Sequence, residues 1–361
     1  MSAIRGSPVA LFLIALIAGN SAQAQGSGAV QSPTRPSAPV TVARPALPPI
    51  GIIDFYGLHQ LSVNTLRNVL TIKVGDSITP GDRSFFDASK QRLMMMPGVS
   101  SAHVNVVCCA DGRSIVFVGI EEANSPTIHF RPAPTGAIRL PADAIQAGAE
   151  FDQLVMKSVL TGHASEDDSE GHMLLRDIAE ARPVEDHLIA IARNNLPLLR
   201  QVLHDSADSD HRALAAEFLG YASDLQSVVP DLVYAMNDAS DGVRNNAMRA
   251  LGVFAMATKV RAPEVPYEPF VALLDSPIWT DRNKASFSLM SMARMRDPAL
   301  FKLLHERALP ALVEMARWSS RDHAFAAFAI LGEVGGIADK DIFSAWQRND
   351  RESVIQRALR Q

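Results

Sequence analysis

A chain of 361 residues, 47% hydrophobic and 20% charged, has the balance of a globular protein and room for two or three domains. Its formal net charge of -5, without clusters of Lys and Arg, excludes the electrostatic footprint of a nucleic-acid binder and the polybasic grip on anionic lipid. The only two cysteines, Cys108 and Cys109, are neighbours, which excludes a disulfide-stapled scaffold and gives no metal-finger spacing.

The first segment reads as a signal peptide. Arg5 supplies a positive start, and Val9 to Ala18 is an apolar run of ten, well short of the roughly 20 residues a spanning helix needs. Ala22-Gln23-Ala24 fits the small-x-small cleavage rule, so residues 1–24 are expected to be removed and the mature chain to begin at Gln25. No cysteine follows that point for lipid attachment, and no later run is long and apolar enough to span a bilayer. The protein is therefore expected in the periplasm or secreted. Residues 25–49 are rich in Pro, Ser, Ala and Gly; they read as a disordered, semi-stiff linker.

Residues 50–123 form a compact unit of order β-α-α-β-β. Ile50 to Tyr56 is a strand-forming run ending at Gly57. Ser62 caps a first helix that carries Leu66, Val69 and Leu70 on one side. Gly75-Asp76 makes a turn, and Thr79-Pro80-Gly81-Asp82 opens a second helix that runs to about Met96 and stops at Pro97-Gly98. Two strands follow, His103–Cys109 and Ser114–Ile120, joined at Asp111-Gly112, a strong hairpin signal. Neighbours on a strand point to opposite faces, so one core and one exposed cysteine are expected, with a vicinal or intermolecular disulfide as the alternatives.

Pro126, Pro132, Pro134 and Pro141 mark a connector over residues 124–170, in which Asp143 to Leu160 has helical periodicity and Gly162 to His172 is an acidic loop. From residue 171 to 361 the reading is helical and repetitive. Ala215, Ala247, Ala285 and Ala327 recur at spacings of 32, 38 and 42 residues, each followed four residues on by Leu219, Leu251, Leu289 or Leu331. Pro197, Pro230, Pro269 and Pro310 precede these alanines by 16 to 18 residues, placing a proline at the start of each first helix, where a missing N–H costs nothing. An Asp-bearing loop precedes each second helix, where Asp can cap. Neither helix buries its apolar face alone, so the units must stack. Residues 171–195 read as an N-terminal cap and 337–361 as a truncated fifth unit.

Two resemblances follow. The strand ending in Gly57, the Lys73-Val74-Gly75-Asp76 turn, the Leu93…Pro97-Gly98-Val99 junction and the strand ending in Glu121-Glu122 resemble a POTRA domain. That resemblance implies binding of an extended segment along an exposed strand edge, here the strand of His103, Asn105 and Val107, and a Gram-negative envelope setting; POTRA proteins usually continue into a membrane β-barrel or carry a membrane anchor, and this chain does neither. The run from Asp238 through Val243-Arg244, Ala247 and Ala250-Leu251-Gly252 is similar to HEAT repeats. It implies an α-solenoid in which a loop Asp pairs with a second-helix Arg along the stack, drawing on Asp205, Asp238, Asp275, Arg212, Arg244 and Arg282, with Ala324 ending the ladder. It also implies a concave surface for partners, lined by Arg244, Asn245, Met248 and Arg249. The expected architecture is multidomain: a small α/β POTRA-like domain followed by an all-α HEAT-type solenoid.

Candidate chemistry is sparse. His163, Glu166, Asp167, Asp168, Glu170 and His172 crowd one loop and form the alternative reading, a metal-dependent enzyme or metal-binding protein; a solvated acidic face is the plainer one. His305-Glu306 is a single His-Glu pair where a di-iron hydroxylase of the repeat family needs two. No Gly-x-Ser-x-Gly, phosphate loop or HExxH occurs. His211 and His323, each after an Asp at equivalent repeat positions, read as structural. The function expected is a non-enzymatic scaffold or adaptor with protein partners and no cofactor, or else a purely structural subunit of an envelope complex. Intact-mass analysis of the exported protein is expected to find Gln25 as its first residue; a chain that keeps Met1 overturns export with cleavage.

Overall fold

The computed structural model describes residues 47–79, 84–125, 127–163 and 165–361. The signal peptide, the linker up to residue 46 and the Pro80–Asp82 part of the helix opening lie outside the described residues. The last three linker residues belong to the folded unit: Leu47 bridges Ile78, and Pro48 and Pro49 carbonyls accept bonds from Ser114.

Strand β1 (Ile50–Tyr56) is followed by helices α1 (Val63–Val69) and α2 (Ser84–Met94) and strands β2 (Val99–Ala110) and β3 (Arg113–Glu122). Ser62 caps α1, its hydroxyl accepting the Thr65 N–H at 3.2 Å. The β2–β3 turn places Asp111 and Gly112 at φ 48° and 71°, the left-handed pair that a two-residue hairpin turn requires. The sheet order is β1-β3-β2, with β1 parallel and β2 antiparallel to the central β3. The register slips between Val107 and Ala110, which takes Cys108 and Cys109 out of regular alternation. They are joined to each other by a disulfide and both are half-buried, so the expectation of one core and one exposed cysteine is corrected.

Side chains alternate across the sheet, and both faces are apolar. Ile53, Phe55, Val116, Val118 and Ile120 meet Leu66, Leu70 and Leu93 from the α1 and α2 side. Tyr56, Val107, Ile115 and Phe117 point the other way, into the core of the helical array. That array begins with α3 (Ala142–Leu160) and a short hairpin of β4 (Glu166–Asp167) and β5 (Leu174–Leu175). Five helix pairs follow: α4 (Ala181–Asp205) with α5 (Ser209–Leu219), α6 (Leu225–Ala235) with α7 (Asp241–Ala255), α8 (Glu268–Leu273) with α9 (Trp279–Ala293), α11 (Leu309–Ala316) with α12 (Arg321–Val334), and α13 (Asp339–Gln347) with α14 (Arg351–Ala358). The second helices stack in the order α5, α7, α9, α12, α14. An extra helix, α10 (Pro298–Arg307), accounts for the longest spacing between repeats. Close stacking uses small residues: a Cβ on Gly252 would stand 2.8 Å from the Ser288 hydroxyl on the next helix.

Three sequence expectations are corrected. The N-terminal cap is α3, packed on α4 and α5, while residues from 181 onward already belong to α4. Pro269 and Pro310 do sit in first turns, but Pro197 and Pro230 lie inside α4 and α6. At Pro197 a kink with non-helical Asn195 accommodates the ring, and the Asn195 amide donates to the Ile191 carbonyl at 3.2 Å. Among the second helices, capping by a loop Asp holds only at Asp208, which accepts the Asp210 and His211 N–H groups, while Asp224 and Asp297 cap α6 and α10 instead.

The Arg ladder forms, with altered partners. Arg212 pairs with Asp238 at 2.8 Å, as the repeat resemblance implies. Arg244 pairs with Asp281 rather than Asp275, and Arg282 with Glu314 of α11 at 3.0 Å. Asp205 holds no rung, its carbonyl instead accepting the Gly136 N–H. The last rung is shared with the small domain, because Glu314 also accepts the Gly57 and Leu58 N–H groups at 3.0 and 3.1 Å. Nearby, the Asp54 carboxylate on β1 accepts the Ser319 and Ser320 N–H groups at 2.8 and 2.9 Å, capping α12, whose own Ser320 side chain does not. Phe117 stacks on Trp279 with centroids 4.8 Å apart and packs against Trp318 and His323. Tyr56 donates to the Pro277 carbonyl, and Trp318 to the Phe55 carbonyl.

Two substitutions test this account. Phe117→Ala is expected to lose about 3–5 kcal/mol of stability in a single unfolding transition; separate transitions for sheet and helices in denaturant melts would overturn a shared core. Asp238→Ala strands the buried Arg212 guanidinium and is expected to cost about 3–5 kcal/mol, read as a fall in denaturation midpoint; a loss below 1 kcal/mol contradicts the buried rung.

Candidate functional site

Three places deserve consideration as sites: the inner face of the array, the outer edge of β2, and the acidic hairpin. Of the inner-face residues, Arg244, Asn245, Met248 and Arg249 all lie on α7 and all are buried. Arg244 is spent on Asp281 and the Asp238 carbonyl and is covered by the Phe130 ring at 3.7 Å. The Asn245 amide donates to Asn246, and Met248 is fully enclosed. The expectation of an open concave lining is therefore corrected for these residues. Arg244 is covered by the connector, which runs back along the loops of the repeats. Arg131 bonds to Asp238 and to the Tyr234 carbonyl, Gly136 pairs with the Asp205–Ser206 loop, and the Leu140 N–H donates to His211 Nδ1 at 2.9 Å.

The histidines at equivalent repeat positions have matching structural roles. His211 holds the connector, and His323 contacts Phe117 and takes up Asn283 at 3.0 Å. Burial pushes the His323 pKa down to about 4, so it packs as a neutral ring.

On β2, His103, Asn105 and Val107 lie on the solenoid-facing side. Val107 is in the shared core, and the Asn105 side chain meets the buried Tyr56 hydroxyl. Burial and the nearby Lys90 push the His103 pKa down to about 4. The strand is an edge as expected, with β3 on one side and, among the described residues, no strand on the other. It carries no charged residue over its 12 positions, whereas solvent-facing edges are commonly blunted by charge or proline.

The acidic loop is not the solvated face expected. It folds as the β4–β5 hairpin and seats on the C-terminal ends of α5 and α7. The Ser169 carbonyl accepts the Thr258 and Lys259 N–H groups at 2.9 and 2.8 Å, the Met173 carbonyl accepts Tyr221 Oη, and His172 Nδ1 meets the Gly220 carbonyl at 3.1 Å. The candidate metal ligands go to separate partners. Glu166 faces Arg249, Asp167 accepts the Ser169 N–H, Glu170 meets Lys259, His172 stacks on Tyr221, and His163 is exposed. Among the described residues no group of three or more His, Cys, Asp or Glu is placed to hold a metal ion.

What the hairpin encloses is a charge cluster around Arg249. Arg249 is 7% exposed, it reaches Glu166 at 3.5 Å, and its Nε has no partner. Beside it is a small cavity of about 20 Å³ lined by Met173, Glu217, Tyr221, Asn246 and Val253. Burial, reinforced by Glu166, raises the Asp168 pKa to about 7; burial with Asp152 raises Glu217 to about 8. Burial and Arg249 lower Lys284 on α9 to about 7. Perturbed groups gathered around one buried arginine mark a functional candidate on physical grounds. Sequence reading missed Asp152, Glu217 and Lys284, which lie on three different helices. It also missed Asp54, Glu314 and Trp318; an acid inside the apolar run of β1 and another inside the apolar run of α11 were the available signals.

Residues 196–290 match a family model described as HEAT repeats, and they lie within an array of HEAT/armadillo-like helical repeats. Among solved structures, a designed armadillo repeat protein in complex with peptide (KR)4 is similar at 16% identity and a TM-score of 0.35, covering 60% of this chain and 97% of that one. No curated protein matches the chain. Among the described residues no helix is long and apolar enough to cross a membrane.

Proposed function

We propose that this protein is an exported, non-enzymatic interaction scaffold of the cell envelope, with proteins as its partners. Helical repeat arrays are commonly interaction scaffolds, and the observation that carries this reading furthest is the outer edge of β2. Its 12 uncharged residues keep one row of backbone donors and acceptors without a partner strand among the described residues. Such a row accepts an extended segment by strand addition, with backbone bonds giving affinity and alternate side chains giving selectivity. The β-α-α-β-β order supports a POTRA-like assignment for the small unit, and strand-edge binding is what that assignment implies. The signal-peptide pattern of residues 1–24 supports a periplasmic or secreted location. The enclosure of Arg244, Asn245, Met248 and Arg249 supports docking at the sheet edge over docking on the inner face of α7.

Deleting residues 50–123 is a poor probe, because it uncovers Trp279, Trp318 and His323. A photo-crosslinker at Ser101 in the full chain is better, run with and without Val104→Lys, since charge on an edge opposes strand addition. One specific partner is expected to crosslink at Ser101, with at least tenfold loss in the folded Val104→Lys protein. Crosslinking that is unchanged by the lysine, or absent at Ser101 while present elsewhere on the molecule, overturns the edge as the docking place.

A further inference from the structure

We propose that the outer face of the capping helix α3 pairs with the same face of a second copy of this chain, the two helices lying antiparallel about a two-fold axis between Asp152 and Gln153. The first support is the face itself. With 3.6 residues to a turn, Ala144, Ala147, Gly148, Phe151, Val155 and Ser158 share one side of α3, and all are buried where it packs on α4 and α5. Ile145, Ala149, Gln153, Met156 and Leu160 share the opposite side. Ile145 is 44% and Leu160 75% exposed, Ala149 and Gln153 are exposed, and Met156 is half-buried. The end unit of a repeat array ordinarily turns a polar face outward, because no further unit stacks on it. Here four of the five outward positions are apolar.

The second support is that this face complements itself. In an antiparallel pair centred between Asp152 and Gln153, Ile145 of one copy lies opposite Leu160 of the other. Ala149 lies opposite Met156, a small side chain facing a long one. The same face meets itself, as a two-fold contact requires. The charges along one edge of the face agree with this register. Glu150 and Lys157, two turns apart and both exposed, come opposite each other across the axis, so the ion pair is made twice. An apolar stripe alone would fit many helices; the matched charge order is what selects a second α3.

The neighbouring charges are compatible with the pairing. Within one chain Lys157 meets Glu180 at 2.8 Å, both groups being exposed, and Glu150 takes the Gln146 amide at 2.8 Å. Such exposed contacts contribute little in water and leave both side chains able to reach across. Asp152, on the other edge, interacts with Arg249 of its own chain, and Asp143 lies beyond the paired stretch at the start of the helix. One pair of 19-residue helices is at the small end of specific interfaces, so the dimer is reversible, with a Kd on the order of 10 µM. The contact uses no residue of β2 and stands whether or not that edge takes a partner.

Sedimentation velocity of the full mature chain from about 1 to 200 µM tests the pairing. The mass is expected to rise from one chain towards two across this range. Leu160→Glu, at an exposed position, is expected to weaken the dimer at least tenfold with circular dichroism matching the parent. Glu150→Lys is expected to weaken it at least threefold, and adding Lys157→Glu to that variant is expected to restore it to within twofold of the parent. A single-chain mass at every concentration overturns the proposal without recourse to any variant. So does a dimer indifferent to Leu160→Glu, or a charge reversal that the second substitution does not repair.

Discussion

A three-stranded sheet has two faces, and α1 and α2 can cover only one of them. Everything else in this molecule follows from what covers the second. Tyr56, Ile115 and Phe117 present a face too apolar to leave in water, and the helical array receives it at Trp279, Trp318 and His323. The electrostatics comply with that packing. The Arg ladder of the repeats, which runs from α5 to α9 along the stack, finds no further Arg at Ala324. Its final carboxylate, Glu314, turns to the backbone of Gly57 and Leu58. In the same corner Asp54 caps α12 from another part of the chain. The small unit thus occupies the place where the repeat pattern runs out, and the two parts are one folded body.

The repeat architecture was legible because it is written locally. Alanine and leucine four apart, small residues at helix crossings and Asp in the loops are short-range signals, and the alanine–leucine spacing marks the second helix of each of the first four pairs. The Asp111-Gly112 turn and the Ser62 cap were readable for the same reason. The union of sheet and array was not, because its contacts join residues on opposite sides of the chain's middle, Phe55 with Trp318 and Tyr56 with Pro277. A trace was present: Ser114 to Ile120 is an almost unbroken apolar run, the pattern of a strand buried on both faces rather than one. Taken as a free-standing small domain, that run had no use for its second face.

The candidate sites separate in the same way. The edge position of β2 followed from element order. The burial of Arg244 and Arg249 did not, because side chains that look solvent-directed on an isolated repeat are enclosed once the connector and the hairpin lie over them. Likewise the acidic loop had the composition of a solvated segment, and its meaning changed only when Asp152, Glu217 and Lys284, from three separate helices, were brought to it.

The separation between Phe55 and its partner Trp318, 263 positions along the chain, has a consequence for biogenesis. At synthesis rates of about 5–20 residues per second, the second face of the sheet emerges some tens of seconds before the tryptophan that closes over it exists. A solenoid that grew unit by unit would never leave such a surface waiting. This chain does, so its period of greatest exposure to aggregation falls during its own manufacture, and a holding factor at that stage would matter more to its yield than the stability of the finished fold.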